Sequence, residues 1–308
     1  MSILADGAPA APDRGGPIRS SDWMPGTRTY ARRGRATAGG VVVDPARPAI
    51  RSWCHALEDR LSPVVEPPRR ERRVLTIGML GGMSWESSAM YYRLANELVR
   101  RRLGGLHSAR CVLYSVDFAD VEAMQAAGEW ERAGHLLGEA AAALEAAGAD
   151  LVVLCTNTMH KVADEVQARI GIPLLHLADA TAAAVSRSGL RTVGLLGTAF
   201  TMEQDFYRQR LATHGLDVLV PEAEDRAEVH RIIYDELCLG IVRDTSREFY
   251  RGAIGRLVAA GAQGIVLGCT EIELLVTAAD SAVPVFPTTR IHVEAAVEAA
   301  IEGALTIT

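Results

Sequence analysis

Lysine is almost missing from the 308-residue chain: Lys161 is the single copy, and arginine supplies every other fixed positive charge. An enzyme working through a Schiff base would have that one candidate nucleophile. No stretch approaches the roughly 18 consecutive apolar residues that a membrane span needs. The cysteines number five, an odd count without framework spacing. They fit a reducing, cytoplasmic compartment better than a disulfide scaffold. A basic excess is also lacking. The formal charge is −6, and because residues 1–73 carry net +5, the remainder carries −11. Such an acidic body argues against a nucleic-acid-binding surface. Aromatic residues make up only 5% of the chain while 49% is apolar, a balance that suits Ala-rich helices packed on a sheet.

Residues 1–73 hold 9 of the 13 prolines, interspersed with Gly and Arg, and show no sustained apolar periodicity. A segment of this kind cannot bury enough surface to offset its ordering entropy, so a disordered extension or an over-extended start of the reading frame is expected there. It lacks the apolar core of a signal peptide, and its acids weaken a transit-peptide reading.

From Val74 onward apolar runs alternate with helix-period segments. The expected strands are 74–80, 111–117, 151–155 and 173–177, then 192–197, 217–221, 264–268 and 283–286. Continuous Val/Ile/Leu runs separated by helices predict parallel sheets covered on both faces. The series also restarts. "TIGMLGG" at 76–82 matches "TVGLLGT" at 192–198, a shift of 116. "AAGADLVVLCT" matches "AAGAQGIVLGCT" at a shift of 113, rising to 114 at the cysteines through one extra residue. The fold class expected is therefore α/β, with two pseudo-symmetric, doubly wound parallel-sheet lobes and an active site in the cleft between them. The expected boundaries are an extension over 1–73, an N-terminal lobe over 74–185 completed by 286–308, and a C-terminal lobe over 186–285.

The doubled Cys-Thr places Cys155 and Cys269 at strand ends, where ligands gather in such sheets. Each side chain is expected at the rim of the cleft, with a helix beginning near Thr158 and at Thr270. A helix N-terminus carries partial positive charge and unpaired N–H donors, which favour thiolate and can hold a carboxylate. Two thiols on opposite sides of one carbon suit inversion of a stereocentre: one base removes a proton and the other returns one to the opposite face. The bland reading of either cysteine alone is a small buried hydrophobe.

The segments "IGMLGGMSWESSAMYYRLANE", "LGGLHSA", "LCTNTMHKVAD", "LLGTAFTMEQDFYRQRL", "IIYDELCLG" and "GCTEIELL" resemble the aspartate/glutamate racemase family, in particular its broad-specificity amino-acid racemase branch. The resemblance runs in order from about Val74 to the C-terminus. It implies a cofactor-independent, metal-free racemase of a free amino acid that acts through two cysteines, Cys155 and Cys269, and is a homodimer. It further implies that Thr156, Asn157 and Thr158 contact the substrate α-carboxylate or amino group, with Thr270 across the cleft. Gly82, Met83 and Ser84 would form the floor, and Thr198 the repeat-related position. Arg231 is kept as a contact to a distal carboxylate. The segment 115–130 contains no Lys or Arg, which favours a broad or neutral substrate range over aspartate. Alternatives are an aspartate or glutamate racemase, a related cysteine-based isomerase or decarboxylase of small carboxylic acids, and a non-catalytic two-lobed amino-acid sensor.

Other residues invite roles. His160 and His176 near Cys155 match no compact zinc-ligand spacing, and His160 reads as a packing residue. His107 lies in a Gly-flanked loop that would either cover the cleft or form a surface turn. Asp117 and Asp179 follow strands and suit turn or capping roles as well as substrate contact. Glu271, beside Cys269, would raise the thiol pKa rather than lower it. Cys111 and Cys238 read as core.

Overall fold

Extended apolar runs, the central ones of each sheet buried on both faces, build two parallel sheets in the computed structural model, which describes residues 73–303. The expectation of disorder over 1–73 lies, Arg73 apart, outside the described residues. In the first sheet β1 (Ile77–Gly81), β2 (Cys111–Ser115), β3 (Leu151–Leu154) and β4 (Leu174–Leu175) are ordered β2-β1-β3-β4. In the second, β5 (Thr192–Gly197), β6 (Asp217–Leu219), β7 (Gly264–Gly268) and β8 (Val285–Pro287) are ordered β6-β5-β7-β8. The two orders are the same order, one lobe after the other. The register repeats as well: Ile77 pairs with Leu151, and Val193, the residue 116 positions after Ile77, pairs with Gly264.

Helices cover both faces of each sheet. The first sheet carries α1 (Trp85–Leu103), α2 (Phe118–Ala127), α3 (Trp130–Ala146), a 3-10 turn (Thr158–Val162) and α4 (Ala163–Gln167), whereas α5 (Leu177–Arg187) crosses over and packs on the second sheet against Val193, Leu195 and Val266. The second also carries α6 (Ala199–Glu203), α7 (Asp205–Thr213), α8 (Ala223–Asp235), a 3-10 turn (Leu237–Leu239), α9 (Asp244–Ala259), α10 (Ile272–Leu275) and a 3-10 turn (Ala278–Asp280), and the chain ends in α11 (Thr288–Glu302), whose apolar face packs on the first sheet.

Helix α1 shows why these segments fold as they do. Ser84 caps its start by accepting from Ser87 N–H, and three arginines, Arg100 to Arg102, crowd its last turn where the carbonyl dipoles favour cations. Tyr91, Leu94, Ala95 and Val99 fall on one face and are buried against Ile77, Met79 and Val153. Full burial of each large apolar side chain contributes about 1.5–3 kcal/mol. The last helix, α11, returns to this same core through Val293, Ala296, Val297 and Ala300, and Leu75 N–H donates to Ala300 C=O at 2.9 Å. Among the described residues no helix is long and apolar enough to cross a membrane.

Candidate active site

The carboxyl ends of the central strands of both sheets converge on one narrow cavity. It is lined by Met83, Phe118, Gln125, Thr156, Asn157, Thr158, Thr198, Ile233, Tyr234, Cys238, Cys269, Thr270 and Glu271. Six of the residues singled out from the sequence (Met83, Thr156, Asn157, Thr158, Thr198 and Thr270) therefore share a wall with Cys269. About 20 Å³ is left for the centre of a water-sized molecule, room for roughly one water.

Hydrogen bonds join the lobes around this cavity. Thr158 Oγ1 lies 3.0 Å from Thr198 Oγ1 and 3.3 Å from Thr201 Oγ1. Asn157 Nδ2 donates to Thr288 Oγ1 at 3.0 Å, and Thr288 Oγ1 donates to Leu267 C=O at 2.7 Å. Asn157 Oδ1 is buried without a hydrogen-bond partner. A buried amide oxygen left in that state costs about 1–3 kcal/mol, so it is a place prepared for a donor.

Glu271 forms the most densely bonded group of the site. Its Oε1 accepts from Ser84 Oγ at 2.7 Å, and its Oε2 accepts from Thr270 Oγ1 at 2.7 Å and Cys269 Sγ at 2.9 Å. Burial pushes the Cys269 thiol well above its ordinary range, and the neighbouring Glu271 charge pushes it the same way. The carboxylate is thus positioned as the acceptor for the thiol proton. Its participation was visible in the sequence only as proximity; the contact across 187 residues to Ser84 was not.

Gly82 and Ser84 act behind the wall rather than on it. Gly82 has φ +97, and a Cβ there would sit 2.2 Å from Val116 C=O, so only glycine fits. Its N–H donates to Ser88 Oγ at 2.8 Å, which fixes the turn presenting Met83.

Cys155 is placed differently from expectation. It does not line the cavity: it is fully buried among Ile77, Met79, Tyr91 and Val153, and its thiol points at Val153 C=O, 3.9 Å away. Burial pushes its pKa far up. The cause is the extra residue in the second repeat. Leu154 and Leu267 hold equivalent ladder positions, opposite Leu80 and Leu196. Cys155 follows Leu154 directly, whereas Gly268 intervenes between Leu267 and Cys269. Side chains alternate along a strand, so one inserted residue turns the thiol to the other face. Cys155 therefore joins the core beneath α1 and α11, while Cys269 joins the face that meets α8 and α9.

The helix starts expected beside both cysteines also differ. A five-residue 3-10 turn follows Cys155, and four-residue α10 follows Cys269. Such short segments supply little dipole, and burial dominates at both thiols. Arg231 is not at the cavity. Its guanidinium is held by Glu228 at 2.8 Å and 2.9 Å and by Glu236 at 3.1 Å. Three acids within five residues capture the side chain locally.

The remaining candidates are structural. His160 Nδ1 lies 2.7 Å from Thr156 C=O and its Nε2 accepts from Leu177 N–H at 3.1 Å, an arrangement that requires the neutral Nδ1–H tautomer. Burial, reinforced by His176 and His292, holds its pKa well below the ordinary histidine range. Its part is to fix the backbone of Thr156. Asp117 caps α2 through Ala119 N–H, and Asp179 grips Arg210 with two 2.7 Å bonds. His107 is exposed beside Tyr92 and Asn96, away from the cavity. Lys161 donates to Gln204 Oε1 and lies 3.8 Å from the centre of the Trp130 ring. Among the described residues no cluster of His, Cys, Asp or Glu could hold a metal.

Two like-ordered α/β lobes around a cavity that carries a strand-end Cys-Thr-Glu, a Thr-Asn-Thr and no cation define a small-molecule site built for acid–base work. Residues 80–296 match the Asp/Glu/Hydantoin racemase family, and the chain belongs to it. It is similar to a solved structure from Yersinia pestis assigned to the Asp/Glu racemases, with 56% identity, 74% of this chain and 99% of that one covered, and a TM-score of 0.70. An aspartate racemase homologue from Pyrococcus horikoshii OT3 shares 36% identity over 73% of this chain and 98% of that one, at a TM-score of 0.65. A glutamate racemase of Streptococcus pneumoniae (strain Hungary19A-6) is 27% identical over 127 residues, 41% of this chain and 46% of its own length. The chain thus spans about half the length of that curated relative.

Proposed function

We propose that the protein is a cofactor-independent amino-acid racemase of broad specificity, which inverts the α-carbon of a free amino acid by proton transfer to and from cysteine thiols. The observation that carries this reading is the Cys269–Glu271 pair sharing one narrow cavity with Thr156, Asn157 and Thr158. The unpartnered Asn157 Oδ1 suits an ammonium donor, and the hydroxyls of Thr156 and Thr198 suit the α-carboxylate. The Cys269 proton passes to Glu271 Oε2 as the substrate ammonium enters, since a nearby positive charge lowers the cost of thiolate. The thiolate then takes the α-proton, and hydrogen bonds to the carboxylate stabilise the charge that develops on it. Cys155 is the second base in this proposal: its thiol would return a proton to the opposite face of the α-carbon as Cys269 takes one, which requires its side chain to turn from the core toward the cavity that the neighbouring Thr156 lines. Chiral chromatography of products from a panel of L- and D-amino acids tests the reading. Interconversion of at least one pair supports it, and a complete lack of turnover refutes it.

The burial of Cys155 favours a second reading, a one-cysteine isomerase or decarboxylase of a small carboxylic acid that uses Cys269 alone. Appearance of a decarboxylated product without its enantiomer would select that reading.

Glu271→Gln should lower kcat/KM by about 10²-fold or more, within the range for loss of a general base, with less effect on thermal stability than on rate. Steady-state kinetics beside a melting curve check this; unchanged kinetics would remove Glu271 from the proton path.

Trp85 and Tyr92 of α1, Leu106, and Leu113 and Tyr114 of edge strand β2 are large apolar side chains left exposed, which supports a homodimer that covers this edge. Tyr114→Glu should shift the mass measured by sedimentation from dimer to monomer; a monomeric parent protein would contradict the assignment.

A further inference from the structure

The cavity wall divides by origin. One part comes from strand ends and carries the Thr, Asn, Cys and Glu groups described above. The other comes from two helices, one per lobe: Phe118 and Gln125 of α2, and Ile233 and Tyr234 of α8. Phe118 and Tyr234 stack at 6.4 Å with 26° between their planes, and Tyr234 O–H donates to Gln125 Oε1 at 3.2 Å. Gln125 is 4% exposed. Its amide nitrogen faces only Met159 Sδ, at 2.9 Å, and a thioether is a weak acceptor. A buried amide with two N–H groups therefore has no strong acceptor in the structure. A ligand oxygen would supply one.

No Lys or Arg lines this cavity. A second carboxylate placed against α2 and α8 would lose its water without gaining a counter-charge, which is strongly unfavourable. An uncharged side chain meets no such barrier. Apolar groups find Phe118 and Ile233, and hydroxyl or amide groups find Gln125 and Tyr234.

We infer that Gln125, positioned by Tyr234, is the residue that selects the substrate side chain: it admits neutral amino acids and excludes those with a second carboxylate. The inference rests on the racemase reading above. A strut between lobes would be the purely structural role for this pair, and loss of a strut would affect all substrates alike.

The experiment compares kcat/KM for solvent-deuterium incorporation at the α-carbon of methionine, glutamine, aspartate and glutamate. For the parent protein, methionine and glutamine should exceed both acids by at least about 100-fold, as expected when a buried group is left unpaired. Gln125→Arg should raise the acid-to-neutral ratio by about 100-fold or more. Gln125→Leu, which keeps the size of the side chain, should lower the glutamine-to-methionine ratio by about tenfold and still reports if the arginine variant fails to fold. A parent protein that prefers aspartate or glutamate overturns the inference. So do variants in which every substrate falls by the same factor. A parent that labels no amino acid at all instead removes the racemase reading on which the inference stands.

Discussion

Replacing Cys269 by serine should reduce racemisation in both directions by about 10³-fold or more while leaving the melting temperature nearly unchanged. The serine hydroxyl is close in size to the thiol, so the packing against Ile272 and Leu275 is preserved. Its acidity is far weaker, and proton transfer by a positioned side chain is worth about 10²–10⁴-fold. In the folded protein the thiol already resists ionisation, because burial and Glu271 both disfavour the thiolate. In the proposed mechanism the hydrogen bond to Glu271 receives the thiol proton, and serine would not yield a comparable base through the same contact. Rates measured from each enantiomer separately, with a melting curve, test this. A serine variant with normal rates would remove Cys269 from the chemistry.

The second large effect is expected at Cys155. Cys155→Ser should also abolish net inversion, by a similar factor, although the thiol lies in the core beneath α1 and α11. A merely structural cysteine predicts another outcome. Placing a hydroxyl between Ile77, Met79 and Val153 would cost about 1–3 kcal/mol of stability and leave the rate per folded molecule intact. Rate and stability measured on the same sample separate the two. Loss of rate in a folded variant supports two bases. Loss of stability alone supports the one-cysteine reading.

Much of the architecture is legible from residue order. The eight apolar runs became eight parallel strands, because an unbroken Val/Ile/Leu run is stable only where both faces are covered. The restart at 192 became a second sheet of the same order, with matched residues in matched ladder positions. The extra residue before Cys269 was equally visible, but its consequence follows only once Leu154 and Leu267 are aligned in the ladder. Gly268 then accounts for two thiols on opposite sheet faces. The ion pairs of Arg231 with Glu228, Asp235 and Glu236 at one helix end were not evident until the helix placed those neighbours around it. Gln125 and Tyr234 lie 109 positions apart and carry no motif; only the packing of α2 against α8 brings them to one wall. Helix starts were anticipated at both cysteines, but a four-residue helix contributes little field, and burial prevails.

The most direct measurement is the fate of the α-proton early in turnover in deuterated water, followed by mass spectrometry after separation of enantiomers. Two bases on opposite faces predict deuterium in the newly formed enantiomer while the unconverted substrate keeps its protium. Label appearing equally in both enantiomers, or in neither, would contradict the account.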